Sequence, residues 1–284
     1  MITNALTVDV EDYFHVSAFA DSIDRKDWDS IPLRVVDNTQ RLLQLFADSQ
    51  VKATFFVLGW VAEREPGLVR DIAAQGHEVA CHGFSHKLVY DQSPEEFRQE
   101  TIRSKSLLED IIQAPVYGYR AASYSITERS LWAIDVLCEA GFTYDSSIFP
   151  VRHDRYGIPG SPAYPYRLDS PDGHALTEFP LSAANILGYR LPVAGGGYFR
   201  LYPYMLTKLG LSQINRKGHP FIFYLHPWEI DPSQPRIAAR WFSRFRHYNN
   251  LDKFEHRLTN LIKDFSFGRV DEVLKNTGFA QEQG

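Results

Sequence analysis

The 284-residue chain predicts an α/β fold built on a parallel sheet or barrel of βα units. Three observations lead there. Short β-rich runs alternate with amphipathic helical patterns. Acids, bases and a cation recur where those runs end. Length and a hydrophobic content of 44% are enough to bury a substantial core without disulfides.

The elements follow in order. The first apolar run is "ALTVDV", and a helical pattern through Val35, Leu42, Leu43 and Phe46 comes after it. Next is "ATFFVLGW", then a helix opened by Pro66 and stopped by Gly76, the usual asymmetry of proline at the start and glycine past the end. The third strand is "EVACH". At "SPEE", Ser93 is placed to cap a long helix, with Pro94 at its first position and Glu96 completing a capping box. The strand "YGYRAA", a helix over about 127–140 ended by Gly141, and the strand "FTYDSS" continue the rhythm. Between about 148 and 197 prolines and the run Gly195, Gly196, Gly197 break it, which predicts long functional loops around a strand "ALTEFPLS". A helix over about 202–217, the strand "FIFYLH" and a helical stretch over 247–275 complete the chain. The expectation is one domain over 1–284, with a helical closing segment from about 235.

A net charge of -5 leaves no basic footprint for nucleic acid. Two cysteines, Cys81 and Cys138, form neither a disulfide framework nor a zinc-finger array. No apolar run approaches transmembrane length, and the N-terminus has no basic and apolar leader pattern. A cytoplasmic location is expected, or a periplasmic or extracellular one if a leader is missing. Aromatic residues (19 Phe, 15 Tyr, 5 Trp) suit a carbohydrate groove, though most are expected to pack.

Asp9, Glu11 and Asp12 end the first strand, His82 the third, Arg120 the fourth, Asp145 the fifth and His226 the last. Singly, each has an ordinary reading as a loop histidine, surface ion-pair partner, turn residue or core histidine. Jointly they point at the carboxyl ends of parallel strands, where barrel active sites lie. His82, His86 and a carboxylate form a common three-ligand catalytic zinc set with a coordination position left for water. Cys81 neighbours His82 on a strand, so it faces the opposite side and is expected to pack.

The ordered set "TVDVED", "HGFSH", "YRAAS", "YDSS" and "YLHP" resembles the NodB homology domain of polysaccharide deacetylases, carbohydrate esterase family 4, over roughly 5–230. Further stretches, "VDVEDYFHVSAF", "GGGYFR" and "LHPWEIDPSQPR", resemble the subgroup of bacterial exosortase and exopolysaccharide systems. The resemblance implies a distorted (β/α) barrel with fewer than eight complete units. It also implies a divalent metal, Zn²⁺ or another transition metal, and an N-acetylated oligo- or polysaccharide substrate. By the same resemblance Asp9 matches the catalytic base, His82 and His86 the metal ligands, and Arg120 the group that orients the base. His226 matches the catalytic acid and Asp145 the carboxylate that supports it.

Three departures from the family pattern stand out. Val10 replaces the second of two adjacent aspartates, so the metal carboxylate is Glu11 or Asp12. Alternation favours Glu11, whereas a bulge would bring Asp12 round. Gly83 stands where many members carry Ser or Thr, with Ser85 as a partial replacement. "RAAS" replaces Arg-x-Pro-aromatic, which alters the groove but leaves a backbone amide near Ala121 to Ser123 for an oxyanion. The implied activity is removal of N-acetyl groups from amino sugars. The alternatives are hydrolysis of a small non-carbohydrate amide and a non-catalytic carbohydrate-binding barrel.

Overall fold

β1 (Thr3–Val10) is the axis of the molecule, with every residue after Thr3 buried. A run buried on both faces is what a central parallel strand requires. In the computed structural model, which describes residues 2–279 except 154, 171, 172 and 187, the chain continues through α1 (Val35–Asp48), β2 (Thr54–Val57), α2 (Gly59–Arg64), α3 (Pro66–Ala74) and β3 (Glu78–Cys81). α4 (Pro94–Ile112), β4 (Gly118–Tyr119), α5 (Ala133–Glu139) and β5 (Tyr144–Asp145) complete the regular half. The second half holds β6 (Tyr166–Asp169), β7 (Ala175–Glu178), β8 (Ala183–Ile186), β9 (Tyr189–Pro192), α6 (Gly196–Leu201), α7 (Tyr204–Arg216) and β10 (Ile222–Leu225). α8 (Trp241–Tyr248), α9 (Leu251–Asp264), β11 (Ser266–Gly268) and α10 (Val270–Asn276) end the chain.

The main sheet runs β10-β1-β2-β3-β4-β5-β7-β6, with β11 also on β1. Its ladders are parallel except for the β6–β7 hairpin. Gly195 makes a parallel bridge with Tyr224, which adds an extended segment beside β10. Among the described residues no ladder joins β6 to β10, so the sheet is a barrel-like α/β layer that stays open. β8 and β9 form a separate antiparallel hairpin.

Local signals translate directly where they are strong. α1 buries Val35, Leu42, Leu43 and Phe46, and α4 carries the capping box between Ser93 and Glu96. Other expectations change. The helix expected over 127–140 is split into a 3₁₀ turn, Glu128–Ser130, and the shorter α5. The closing segment is not purely helical, because β11 adds to the sheet at Thr3–Ala5. Propensity alone misses it, since a three-residue strand is stabilised by its ladder with β1 rather than by its own residues.

Asn4 fixes this corner. Its amide donates to the Ser266 carbonyl (3.1 Å), and its oxygen accepts from the Phe221 N–H (3.1 Å) and the Asn215 amide (2.7 Å). Asn4→Ala would leave the buried Phe221 N–H unpaired. A loss of about 1–3 kcal/mol in denaturant unfolding is expected; unchanged stability would show that water or a neighbour takes its place.

Candidate active site

Asp9 and Glu11 leave the end of β1 two residues apart and both are buried, at 1% and 2% exposure. His82 follows β3 directly, and His86 closes the turn after it with a left-handed backbone, φ 53°, a conformation uncommon for a side-chain-bearing residue. Ser85 steadies this turn by donating to the Glu100 carboxylate at 2.6 Å. Ligand atoms of Glu11, His82 and His86 lie within 4.8 Å of one another.

The donor set fits a divalent cation. Glu11 Oε2 is buried without a hydrogen bond, and lies 2.9 Å from His86 Nε2. His82 donates from Nδ1 to the Arg120 carbonyl at 2.8 Å, which leaves the Nε2 lone pair free, as an ordered ligand requires. Burial pushes the His82 pKa down to about 4, so the ring is neutral at ordinary pH. Burial works to raise the Glu11 pKa, but His86, His226 and His82 outweigh it and hold the carboxyl well below its usual range.

Asp12 lies elsewhere. Its carboxylate accepts from the Arg34 and Val35 N–H groups at 2.6 and 2.9 Å and from Tyr13 N–H at 2.8 Å. It caps α1 from 22 residues away, where Arg34 provides no side-chain cap. Burial, opposed by these N–H donors, lifts its pKa to about 6. The carboxylate grouped with the two histidines is therefore Glu11.

Arg120 is fully buried at the end of β4. Its Nη1 donates to Asp9 Oδ1 (2.6 Å) and to the Thr7 hydroxyl (2.8 Å), while Nε and Nη2 reach the Ser146 carbonyl and hydroxyl. Tyr124 O–H approaches the other Asp9 oxygen at 3.5 Å. Past Arg120 the chain turns sharply, with Ser123 and Tyr124 at φ 51° and 57°. The Ala121 N–H is held by Ser147 Oγ at 2.8 Å, so of the "RAAS" amides expected near an oxyanion this one is already engaged, while Ser123 lines the cavity.

His226 Nε2 lies 3.2 Å from Glu11 Oε1 and 3.9 Å from Asp9 Oδ2. Asp145, expected to support it, does not reach it. Asp145 accepts from Ser147 Oγ at 2.5 Å, and its other oxygen is buried beside Glu178. The partner of His226 is Glu229, 3.3 Å from Nδ1. Glu229 also accepts from the His226 N–H (3.0 Å) and from Arg200 Nε (2.8 Å). Burial lowers the His226 pKa, but Glu229, Glu11 and Asp9 together raise it to about 9. The ring stacks on Trp228 at 5.1 Å.

Sequence reasoning did not single out Glu229 and Arg200. Signals for both were present in "HPWE" and in the glycine run. A Cβ on Gly196 would sit 1.7 Å from Glu229 Oε2, and one on Gly195 would sit 2.1 Å from the Tyr224 ring. These glycines therefore make room for a carboxylate and a phenol. Cys81 is buried in the core with its thiol pushed up to about 11 by burial, which matches its packing role.

Asp9, Glu11, His82, His86 and His226 line one cavity of about 510 Å³, with Tyr124, Tyr156 and Trp228 among its aromatic walls.

Residues 27–144 match the polysaccharide deacetylase family model, and residues 146–275 match a domain of unknown function, DUF3473. A peptidoglycan-N-acetylglucosamine deacetylase of Bacillus cereus is 27% identical over 148 residues, 48% of this chain and 52% of that protein. A chitooligosaccharide deacetylase of Bradyrhizobium is 30% identical over 99 residues, 35% of this chain and 43% of that protein. The chain thus spans about half the length of the relatives it matches. A solved structure from Mycobacterium smegmatis, described as a polysaccharide deacetylase, superposes over 99% of this chain and 94% of its own with a TM-score of 0.64 at 18% identity, a likeness of fold. The match to polysaccharide deacetylase domains of the NodB and carbohydrate esterase 4 type is thus carried by residues 27–144. The second half of the chain is consistent with the exopolysaccharide subgroup.

Two measurements check the placement of the carboxylates. Glu11→Gln should release zinc from the dialysed protein, whereas Asp12→Asn should keep it and lower stability by about 0.5–2 kcal/mol, the size of a lost helix cap. Zinc loss in Asp12→Asn alone would reverse the two roles. The second concerns Asp145 and Glu178, both raised by burial, Glu178 further by the Asp145 carboxylate, while the hydrogen bond from Glu178 only partly offsets the rise of Asp145. Such a pair binds more protons folded than unfolded, so its contribution is full below about pH 4 and is lost as pH rises through the folded pKa values. Glu178→Gln should therefore gain in Tm over the parent protein from pH 4 to pH 8; a pH-independent difference would exclude a shared proton.

Proposed function

We propose that this protein is a metal-dependent hydrolase that removes N-acetyl groups from amino sugars of a polysaccharide or its precursor. The observation that carries this reading is the convergence of a buried base held by an arginine, a metal-competent triad and a protonatable imidazole on one aromatic-walled cavity.

Glu11, His82 and His86 would hold a divalent cation such as Zn²⁺, which supplies an acidified water and polarises the acetyl carbonyl. Asp9 takes the proton of the attacking water through its carboxylate. Arg120 keeps that carboxylate aimed by donating to its Oδ1 at 2.6 Å. His226 gives its Nε2 proton to the departing amine, a step amide cleavage needs because an amide anion leaves poorly. Glu229 holds Nδ1, so the ring is charged before the reaction and oriented throughout it. Trp228 and the tyrosines exclude water from the reacting groups and offer faces for sugar rings. Asp9 and Arg120 come from the first half of the sequence and His226 and Glu229 from the second, and they meet because β10 pairs in parallel with β1.

The names of the relatives support an N-acetylglucosamine-containing substrate, and no observation favours a small non-carbohydrate amide over it. Acetate release from chitopentaose by the zinc-loaded protein tests the reading. Asp9→Asn should retain stoichiometric zinc and lose about 10²–10⁴-fold in kcat, while His82→Ala should lose zinc and activity together. Near-parental turnover by Asp9→Asn would remove it as the base, and absence of acetate from every N-acetylated glycan tried would remove the deacetylase reading.

A further inference from the structure

Next to the cavity, residues 232–250 carry Arg236, Arg240, Arg244 and Arg246 and no Asp or Glu, in a chain whose net charge is -5. All four arginines are exposed, and none pairs with a carboxylate among the described residues. The same stretch forms α8, which leaves Trp241, Phe242 and Phe245 exposed at 76%, 55% and 48%. An apolar patch of this kind marks a binding surface rather than scattered surface residues.

The patch has a shape. Arg236, Trp241, Arg244, Phe245 and Tyr248 line an open recess of about 380 Å³. Phe245 also lines the catalytic cavity, together with Phe242 and Arg246. One phenyl ring therefore borders both recesses, which lie side by side. Arg236 lies over the Tyr248 ring, 4.2 Å from its centroid, and Tyr248 is pinned by donating to the Pro235 carbonyl and accepting from the Ile237 N–H. Among the described residues Arg244 lies over no aromatic ring.

We infer that the α8 recess is a glycan subsite that binds acidic sugar residues flanking the residue to be deacetylated. Flat aromatic faces match the apolar faces of pyranose rings. Guanidinium forks match carboxylates, which they bind in two parallel hydrogen bonds where an ammonium would offer a point charge. Adjacency to the cavity at Phe245 favours a polymer, and the four arginines with no acid in the segment favour an anionic one. This assignment rests on the deacetylase reading of the neighbouring cavity.

Calorimetry on the full chain with two hexasaccharides tests it: one alternates N-acetylglucosamine and glucuronate, the other is chitohexaose. The acidic hexamer should bind more tightly at low salt, by roughly three- to tenfold, the size of one or two exposed charge pairs. Arg236→Gln with Arg244→Gln should abolish that difference and raise KM for the acidic hexamer, with kcat and the hydrolysis of diacetylchitobiose unchanged. Equal affinities, or a preference that survives the double substitution, would overturn the inference. So would co-sedimentation with phosphatidylglycerol vesicles that is lost in Trp241→Ser without any preference between hexamers, since the patch would then serve a lipid surface. An arginine-dependent preference for the acidic hexamer in a protein that releases no acetate would keep the subsite and remove the hydrolase.

Discussion

The buried guanidinium of Arg120 is the constraint on which the site depends. A charge removed from water is costly unless it is paired and hydrogen-bonded, and here all three guanidinium nitrogens donate, to Asp9 and Thr7 of β1 and to Ser146 just past β5. Phe56 of β2 covers the guanidinium face at 4.0 Å. One side chain on β4 thereby fixes the ends of three other strands relative to one another. The Asp9 carboxylate is placed by the same contacts, and so is His82, whose ring hangs from the Arg120 carbonyl.

A second buried arginine does the corresponding work in the irregular half. Arg200 holds Glu229 with Nε, while its Nη1 donates to the carbonyls of Arg246, His247 and Asn249 at the end of α8. The imidazole partner and the α8 recess are therefore parts of one hydrogen-bonded unit. The five donors of a guanidinium make this arrangement available to arginine and not to lysine. Gly196 is the steric condition for it, because any side chain there would occupy the space of the Glu229 carboxylate.

Much of this was legible in the sequence, and the reason is local. The capping box of α4, the alternation of β1 and the order of strand-end acids, histidines and arginine depend on residues within a turn or two of each other. The assignments that moved did so for non-local reasons. Asp12 went to the start of α1 because the Arg34 and Val35 amides needed an acceptor that their own neighbours did not supply. Asp145 turned inward to Glu178, a neighbour brought by the β5–β7 pairing. Glu229 took its place beside His226 because the turn Pro227–Ile230 folds a residue three positions on back over the ring.

By itself the sequence determined which chemical groups the protein owns and that they stand at strand ends, since side-chain alternation and capping are set by short-range geometry. Only the tertiary structure decided which carboxylate accompanies which cation, and that the partner of His226 comes from "HPWE" instead of "YDSS". Such pairings are selected by the cost of leaving a buried charge unmet, and that cost is defined only once strands more than a hundred residues apart have closed around the site.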